Sequence, residues 1–303
     1  MRNLTRRSFL NRCALAGTAA ALTQPLANRL FAAPKEAWQI GCYTRPFDAH
    51  DYRVALDCIA EAGYKYSGIM TAKGKSWVTI NVDSTLEEIL AIAGEVKQRG
   101  LKTISIYGGD FPVKKSIEAG IEGLKKLIDY SAICACPNLM LGGTNDAAIF
   151  EGYYKVVSEC CDYAASKKVG LSVKPHGGQN STGAQCRKII QKVNHKNFRI
   201  WYDAGNIFYY SDGKLDPIDD AADVDGLVVG MSVKDFKPPK EVSVTPGTGK
   251  VNFPKVFARL KQGGFTHGPL VVECLDKAAD VKALVAEAKK ARLFLEKLTG
   301  QQT

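Results

Sequence analysis

Four residues suited to acid, base or metal chemistry stand at the ends of four apolar runs in the second half of this chain. The runs read LSVKPHGG from Leu171, FRIWYDAGN from Phe198, LVVGMSVKDF from Leu227 and LVVECL from Leu270. Lys174, Asp203, Ser232 and Glu273 lie at or near their C-terminal ends, 29, 29 and 41 residues apart. Each interval holds one strand and one helix, and the last has room for a longer loop. In a closed barrel of parallel strands the C-terminal ends converge on one mouth, where active sites are built. Two carboxylates there can move protons or hold a cation. A lysine among them is itself a cation.

The elements that must position these residues recur from Trp38 onward. WQIGCYTRPF leads into DYRVALDCIAEAG, whose apolar residues fall at helical spacing. YKYSGIM, LKTISIYGG and NLMLGG follow as strand-like runs, separated by helical patterns. One of those helices is predicted to open at Ser84 with Glu87 three residues on, in a capping-box pattern. With the four runs above, the count is eight strands alternating with helices, the order of an α/β (β/α)8 TIM barrel. A doubly wound sheet would show a Gly-rich phosphate turn after its first strand, and CYTRPFDAHDY has none. No linker divides the chain. The longest irregular stretch, KPPKEVSVTPGTGKV, follows the seventh strand and is expected to fold over the mouth as a lid.

VKPHGG, YDAGN, SVKDF and VVECL, in that order, resemble the sugar phosphate isomerase/epimerase family of xylose isomerase-like barrels. The resemblance spans essentially the whole chain after the N-terminal segment. It implies a divalent metal held by Glu, Asp, His and Glu from strands five to eight, which polarises a sugar hydroxyl and carbonyl while a proton moves through an enediol. Position by position, Asp203 and Glu273 match their family ligands. Lys174 stands in the place of the first Glu and Ser232 in the place of the His. An ammonium in a carboxylate's place removes a ligand and adds repulsion.

Three arrangements follow from those residues. In one, Asp203, Glu273 and His176 keep a metal, His176 lying two residues beyond Lys174 on the same strand face; oxygen and imidazole ligands suit Mn²⁺, Mg²⁺ or Zn²⁺. In another, the Lys174 ammonium replaces the metal between the two carboxylates and polarises a carbonyl oxygen. In the third, the barrel binds a carbohydrate without turnover. The expected chemistry is proton transfer next to the carbonyl of a sugar or keto-sugar, as isomerisation, epimerisation or β-elimination by a lyase. Glu273 is the expected base, His176 its acid/base partner, and Lys174 or a metal the stabiliser of the enediolate. A Schiff base at Lys174 ranks lower, because two carboxylates favour its protonated form. Substrate contacts are expected from Arg45, Asn206, Lys234 and Trp201, with Tyr209 and Tyr210 nearby. Lys234 could instead pair with Asp235 or Glu273.

Composition limits the remaining classes. The chain has 303 residues and a net charge of +10, of which Arg2, Arg6, Arg7, Arg12 and Arg29 supply five. The rest of the excess is spread over lysines on helix faces, so no nucleic-acid partner is expected. Thr5-Arg6-Arg7-Ser8-Phe9-Leu10, followed by an Ala-rich apolar stretch, reads as a twin-arginine export signal over residues 1–33, with the barrel at 34–303. Export to the periplasm argues against a phosphorylated substrate and for a neutral or oxidised saccharide. The nine cysteines lack a C-x-x-C motif and mostly fall within apolar patterns, so they are expected as buried thiols. No apolar run is long enough for a conventional membrane span.

Overall fold

Alternation of side chains along the strands determines what each residue of this fold faces. A computed structural model describes residues 37–301; the export signal read at 1–33 lies outside them. The elements are β1 (Trp38–Tyr43), α1 (Tyr52–Glu61), β2 (Tyr66–Ile69), α2 (Leu86–Gln98), β3 (Lys102–Tyr107), α3 (Ile117–Ile133), β4 (Asn138–Leu141), α4 (Phe150–Ser166), β5 (Gly170–Val173), α5 (Gly183–Val193), β6 (Phe198–Tyr202), α6 (Ala204–Tyr210), α7 (Pro217–Asp220), β7 (Val228–Val233), α8 (Phe253–Gln262), β8 (Gly268–Val272) and α9 (Val281–Thr299). All eight strands are parallel. Each pairs with the next, and β8 closes on β1 from Trp38 opposite Gly268 to Cys42 opposite Val272. The predicted (β/α)8 barrel is the fold.

Two hydrophobic clusters show the two faces of the barrel wall. Ile200, Tyr202, Met231, Val233, Leu270 and Val272 belong to the large core packed between strands and helices. Their neighbours Trp201 and Val271 join Tyr43, Met70, Ile104 and Met140 in a separate cluster, which the period of two places inside the barrel. Trp201 and Tyr43 have room there because small residues face them. A Cβ at Gly230 would lie 2.2 Å from the Trp201 ring, and one at Gly68 would lie 2.1 Å from the Tyr43 ring.

Side-chain caps satisfy the free N–H groups at the helix starts. Asp51, Thr85, Ser116, Thr182, Asp203 and Asp280 each accept from a backbone N–H within the first turn. The box predicted at Ser84 is formed one residue later. Thr85 Oγ1 accepts from Glu88 N, and Glu88 Oε2 accepts from Thr85 N. Ser84 instead caps a turn, its hydroxyl accepting from Asn81 N while its carbonyl accepts from Tyr130.

The loop after β7 is held by one buried carboxylate. Asp235 Oδ1 accepts from the N–H groups of Phe236 and Val251, and Oδ2 from those of Gly247 and Gly249, all at 2.8–3.0 Å. The sequence left Asp235 as a partner for Lys234; the structure gives it to the loop. The eight cysteines among the described residues are buried and free. No described helix is long and apolar enough to cross a membrane.

Candidate active site

The interior rows of β5 to β8 continue past the strand ends into four charged side chains. Ser172 leads to Lys174, Trp201 to Asp203, Ser232 to Lys234, and Val271 to Glu273, each pair two residues apart on the inward face. The signs alternate from strand to strand: plus, minus, plus, minus. From β1, the row through Tyr43 adds Arg45. Thus the residue that completes the ring from β7 is Lys234. Ser232, in the family's histidine position, lies one pleat deeper, buried, and its hydroxyl has no hydrogen-bond partner among the described residues.

Each lysine nitrogen faces three oxygens. Lys174 Nζ lies 2.9 and 2.7 Å from the two Glu273 oxygens and 3.2 Å from Asp203 Oδ2. Lys234 Nζ lies 2.7 Å from Glu273 Oε1, 3.3 Å from Asp203 Oδ2 and 2.9 Å from Asn206 Oδ1. Arg45 Nη1 donates to Glu273 Oε1 at 2.9 Å. Asp203 uses its other oxygen to cap α6 through Asn206 N at 2.9 Å, so it serves the fold and the site at once. The four strand-end groups are buried, whereas the Arg45 side chain keeps 28% of its exposure.

This crowding sets the protonation of each group. Burial alone would raise the Glu273 carboxyl, but Lys174, Lys234 and Arg45 outweigh it and hold it well below the usual carboxylate range. Burial draws the Lys174 amine below the ordinary lysine value and Lys234 adds to the drop, with Glu273 and Asp203 opposing. At Lys234 burial acts in the same direction, but the pull of Asp203 and Glu273 prevails and raises it. His176 is pushed down to about 3 by burial and then by Lys174 and Lys234, so its imidazole is neutral at pH 7. Its ring sits between Tyr107 and Tyr210, with centroids 6.4 and 5.9 Å away. Its nitrogens take no hydrogen bond among the described residues.

Several sequence expectations change here. A metal held by Asp203, Glu273 and His176 does not fit these donors, because two ammonium groups already lie 2.7–3.3 Å from the same carboxylate oxygens. Among the described residues no three His, Cys, Asp or Glu side chains gather to hold an ion. Trp201, expected to touch substrate, is fully buried inside the barrel below the charged ring. Asn206 is buried with both ends of its amide engaged, accepting from Lys234 and donating to the Pro175 carbonyl at 2.6 Å. Lys234 belongs to the charged ring instead of offering a free ammonium. Arg45 alone of the four expected contacts faces open space, a cavity of about 250 Å³ lined also by Asp48, Ser243, Glu273, Cys274 and Asp276. Ser243 comes from the loop after β7, which therefore forms part of this cavity's wall. Asp48 follows Arg45 by one short helical turn, its N–H donating to the Arg45 carbonyl at 3.1 Å, whereas Ser243 carries no sequence signal for this role, since only loop closure brings it there.

The pattern of the family described as Xylose isomerase-like TIM barrel matches residues 56–298. This chain belongs to that family. L-Ribulose-5-phosphate 3-epimerase UlaE of Salmonella paratyphi C is 25% identical over 232 residues, covering 70% of this chain and 77% of the epimerase. Among solved structures, the xylose isomerase domain protein from Planctomyces limnophilus superposes with a TM-score of 0.65 at 19% identity, covering 88% of this chain and 99% of that one. D-Psicose 3-epimerase from Clostridium cellulolyticum H10, solved with D-tagatose, gives a TM-score of 0.69 at 13% identity, covering 86% of this chain and 99% of that one. These likenesses to solved structures concern the fold. Within this xylose isomerase-like barrel, the alternating ring closes the mouth-side end of the interior rows of β5 to β8.

Proposed function

We propose that this chain is a sugar isomerase/epimerase-like enzyme that moves a proton beside a ketose carbonyl, with fixed ammonium groups supplying the positive charge. Epimerisation at the carbon next to the carbonyl is the leading case, supported by the 3-epimerase relative. The observation that carries the reading is the ring of Lys174, Asp203, Lys234 and Glu273. Three cations, Arg45 included, face two carboxylates there. The surplus positive charge suits a site in which negative charge develops on a substrate oxygen.

The step begins with removal of the C–H proton beside the carbonyl by a His176 ring nitrogen. The C–H electron pair forms the enediolate double bond, and the carbonyl π pair moves onto oxygen, where Arg45 and the ring stabilise it. Burial and two lysines make His176 a weak base in the free protein, and the new negative charge offsets that penalty. Return of the proton by His176 to the same face gives exchange. Delivery of a proton to the opposite face by a ring ammonium, later reprotonated by the imidazolium through solvent, gives epimerisation. Return to the former carbonyl carbon, with the neighbouring hydroxyl proton passing to the oxyanion, gives isomerisation. Glu273 holds the cations in place, since a carboxylate with three cationic partners is a poor proton acceptor. Lys174 faces three acceptor oxygens, which disfavours it as a Schiff-base amine.

Export over residues 1–33 belongs to the same proposal and favours an unphosphorylated sugar. The test is deuterium uptake from D₂O into ketopentoses and ketohexoses. Uptake should persist after exhaustive chelation and fall at least about a hundredfold in Lys174→Met. Loss of uptake on chelation, restored by Mn²⁺, would show that the ammonium groups do not do the work. Binding of ketoses with no uptake in wild type would favour the carbohydrate-binding reading.

A further inference from the structure

The chain has three tryptophans, and two of them are core. Trp38 is 7% and Trp201 0% exposed, whereas Trp77 is 60% exposed. It sits in a short hairpin that leaves the C-terminal, mouth-side end of β2. Thr71 and Val78 form an antiparallel bridge, Ala72 N donates to the Trp77 carbonyl at 3.0 Å, and Thr79 N donates to Met70 at 2.9 Å. The indole is also fixed by its own polar edge, as Nε1 donates to Asp48 Oδ2 at 3.0 Å. The same oxygen accepts from Thr71 Oγ1 at 3.2 Å, which ties carboxylate, hairpin and ring together.

Asp48 also lines the cavity that opens beside Arg45 and Glu273. Its Oδ1 takes no hydrogen bond among the described residues. The cavity offers Asp276 and Ser243 as further groups that accept from hydroxyls. A rigid aromatic face bonded to Asp48, which carries it to the rim of that cavity, matches a pyranose, whose C–H face packs on a ring while its hydroxyl rim turns to acceptors. An indole held by a carboxylate loses little freedom on binding, so the contact is preorganised. The charged ring lies deeper, on the barrel axis. A sugar resting on Trp77 is therefore a second unit, outside the one that reacts.

We infer that Trp77 and Asp48 form an outer sugar subsite, so that a disaccharide or other glycoside is preferred over a free monosaccharide. This rests on the sugar-processing reading of the mouth. The experiment uses the full chain with cellobiose, lactose and xylobiose, each compared with its monosaccharides glucose, galactose and xylose. Because the other two tryptophans are buried, the acrylamide-quenchable emission reports Trp77. At least one disaccharide should shield that emission and bind about tenfold tighter than its monosaccharides by calorimetry (about 1.4 kcal/mol). Trp77→Ala should abolish the preference, and Trp77→Phe should restore part of it.

Equal affinities, a preference unchanged in Trp77→Ala, or no binding of any of these sugars would overturn the subsite. Shielding that follows protein concentration instead of sugar would overturn it too, marking a surface between copies of the chain. The two readings fail separately. Deuterium uptake into ketoses without a disaccharide preference removes the subsite and keeps the enzyme. Shielding by disaccharides without uptake into any ketose does the reverse.

Discussion

Glu273 accepts from Arg45 and both lysines, and the charge count of that cluster decides what each substitution costs. Glu273→Gln leaves three buried or half-buried cations with Asp203 as their one carboxylate, and should lose about 3–5 kcal/mol of stability in urea unfolding. Lys174→Met leaves Arg45 and Lys234 balanced by Asp203 and Glu273, and should lose less than half as much. Equal losses would show that the charges act singly and not as a counted set. The sequence made Lys174, Asp203 and Glu273 legible because their period-two placement at strand ends depends on nothing but the chain. It left Lys234 ambiguous between Asp235 and Glu273, since pairing is a matter of distance. Asp235 was claimed by four backbone N–H groups of its own loop.

Between elements, a second buried carboxylate gives the protein a pH dependence of its own. Asp220, at the end of α7, accepts from Gly183 N in the first turn of α5 at 2.8 Å and meets the Tyr202 hydroxyl at 3.1 Å. Tyr202 donates to the Pro217 carbonyl at 2.8 Å, so a protonated Asp220 can donate to the tyrosine oxygen in turn. Burial raises its pKa from 3.8 to about 6, against the lowering effect of those two hydrogen bonds. A raised value in the fold means that stability is complete below about 4 and is lost as pH rises through 6, by up to about 3 kcal/mol. His176, pushed down, contributes the opposite slope, so the readout is the difference between wild type and Asp220→Asn. The variant carries the neutral hydrogen-bond pattern at every pH and should gain relative stability between pH 4 and 7. A constant difference across that range would refute the assignment. No motif marks Asp220, since its burial arises where α5, α7 and β6 meet.

For the whole molecule, the barrel interior is fitted by pairing large rings with glycines. Gly230 admits Trp201 from the adjoining strand. Gly230→Ala should cost at least the about 1–3 kcal/mol typical of overpacking, visible as a lower melting temperature, because the ring is closed in on all sides. An unchanged melting temperature would mean that the interior holds slack. The alternation of apolar runs and helical patterns determined the barrel itself, since parallel strands buried on both faces and joined by amphipathic helices close in few ways. It also determined that Lys174, Asp203 and Glu273 would meet at one mouth. The tertiary structure decided that Trp201 fills the core, that Lys234 completes the ring, and that two ammonium groups lie where a metal was one expectation. It also placed Trp77 outside, beside Asp48. The physical reason is that periodicity fixes the side of the wall a residue faces, while the depth of the pleat and the neighbours across the mouth fix what it touches.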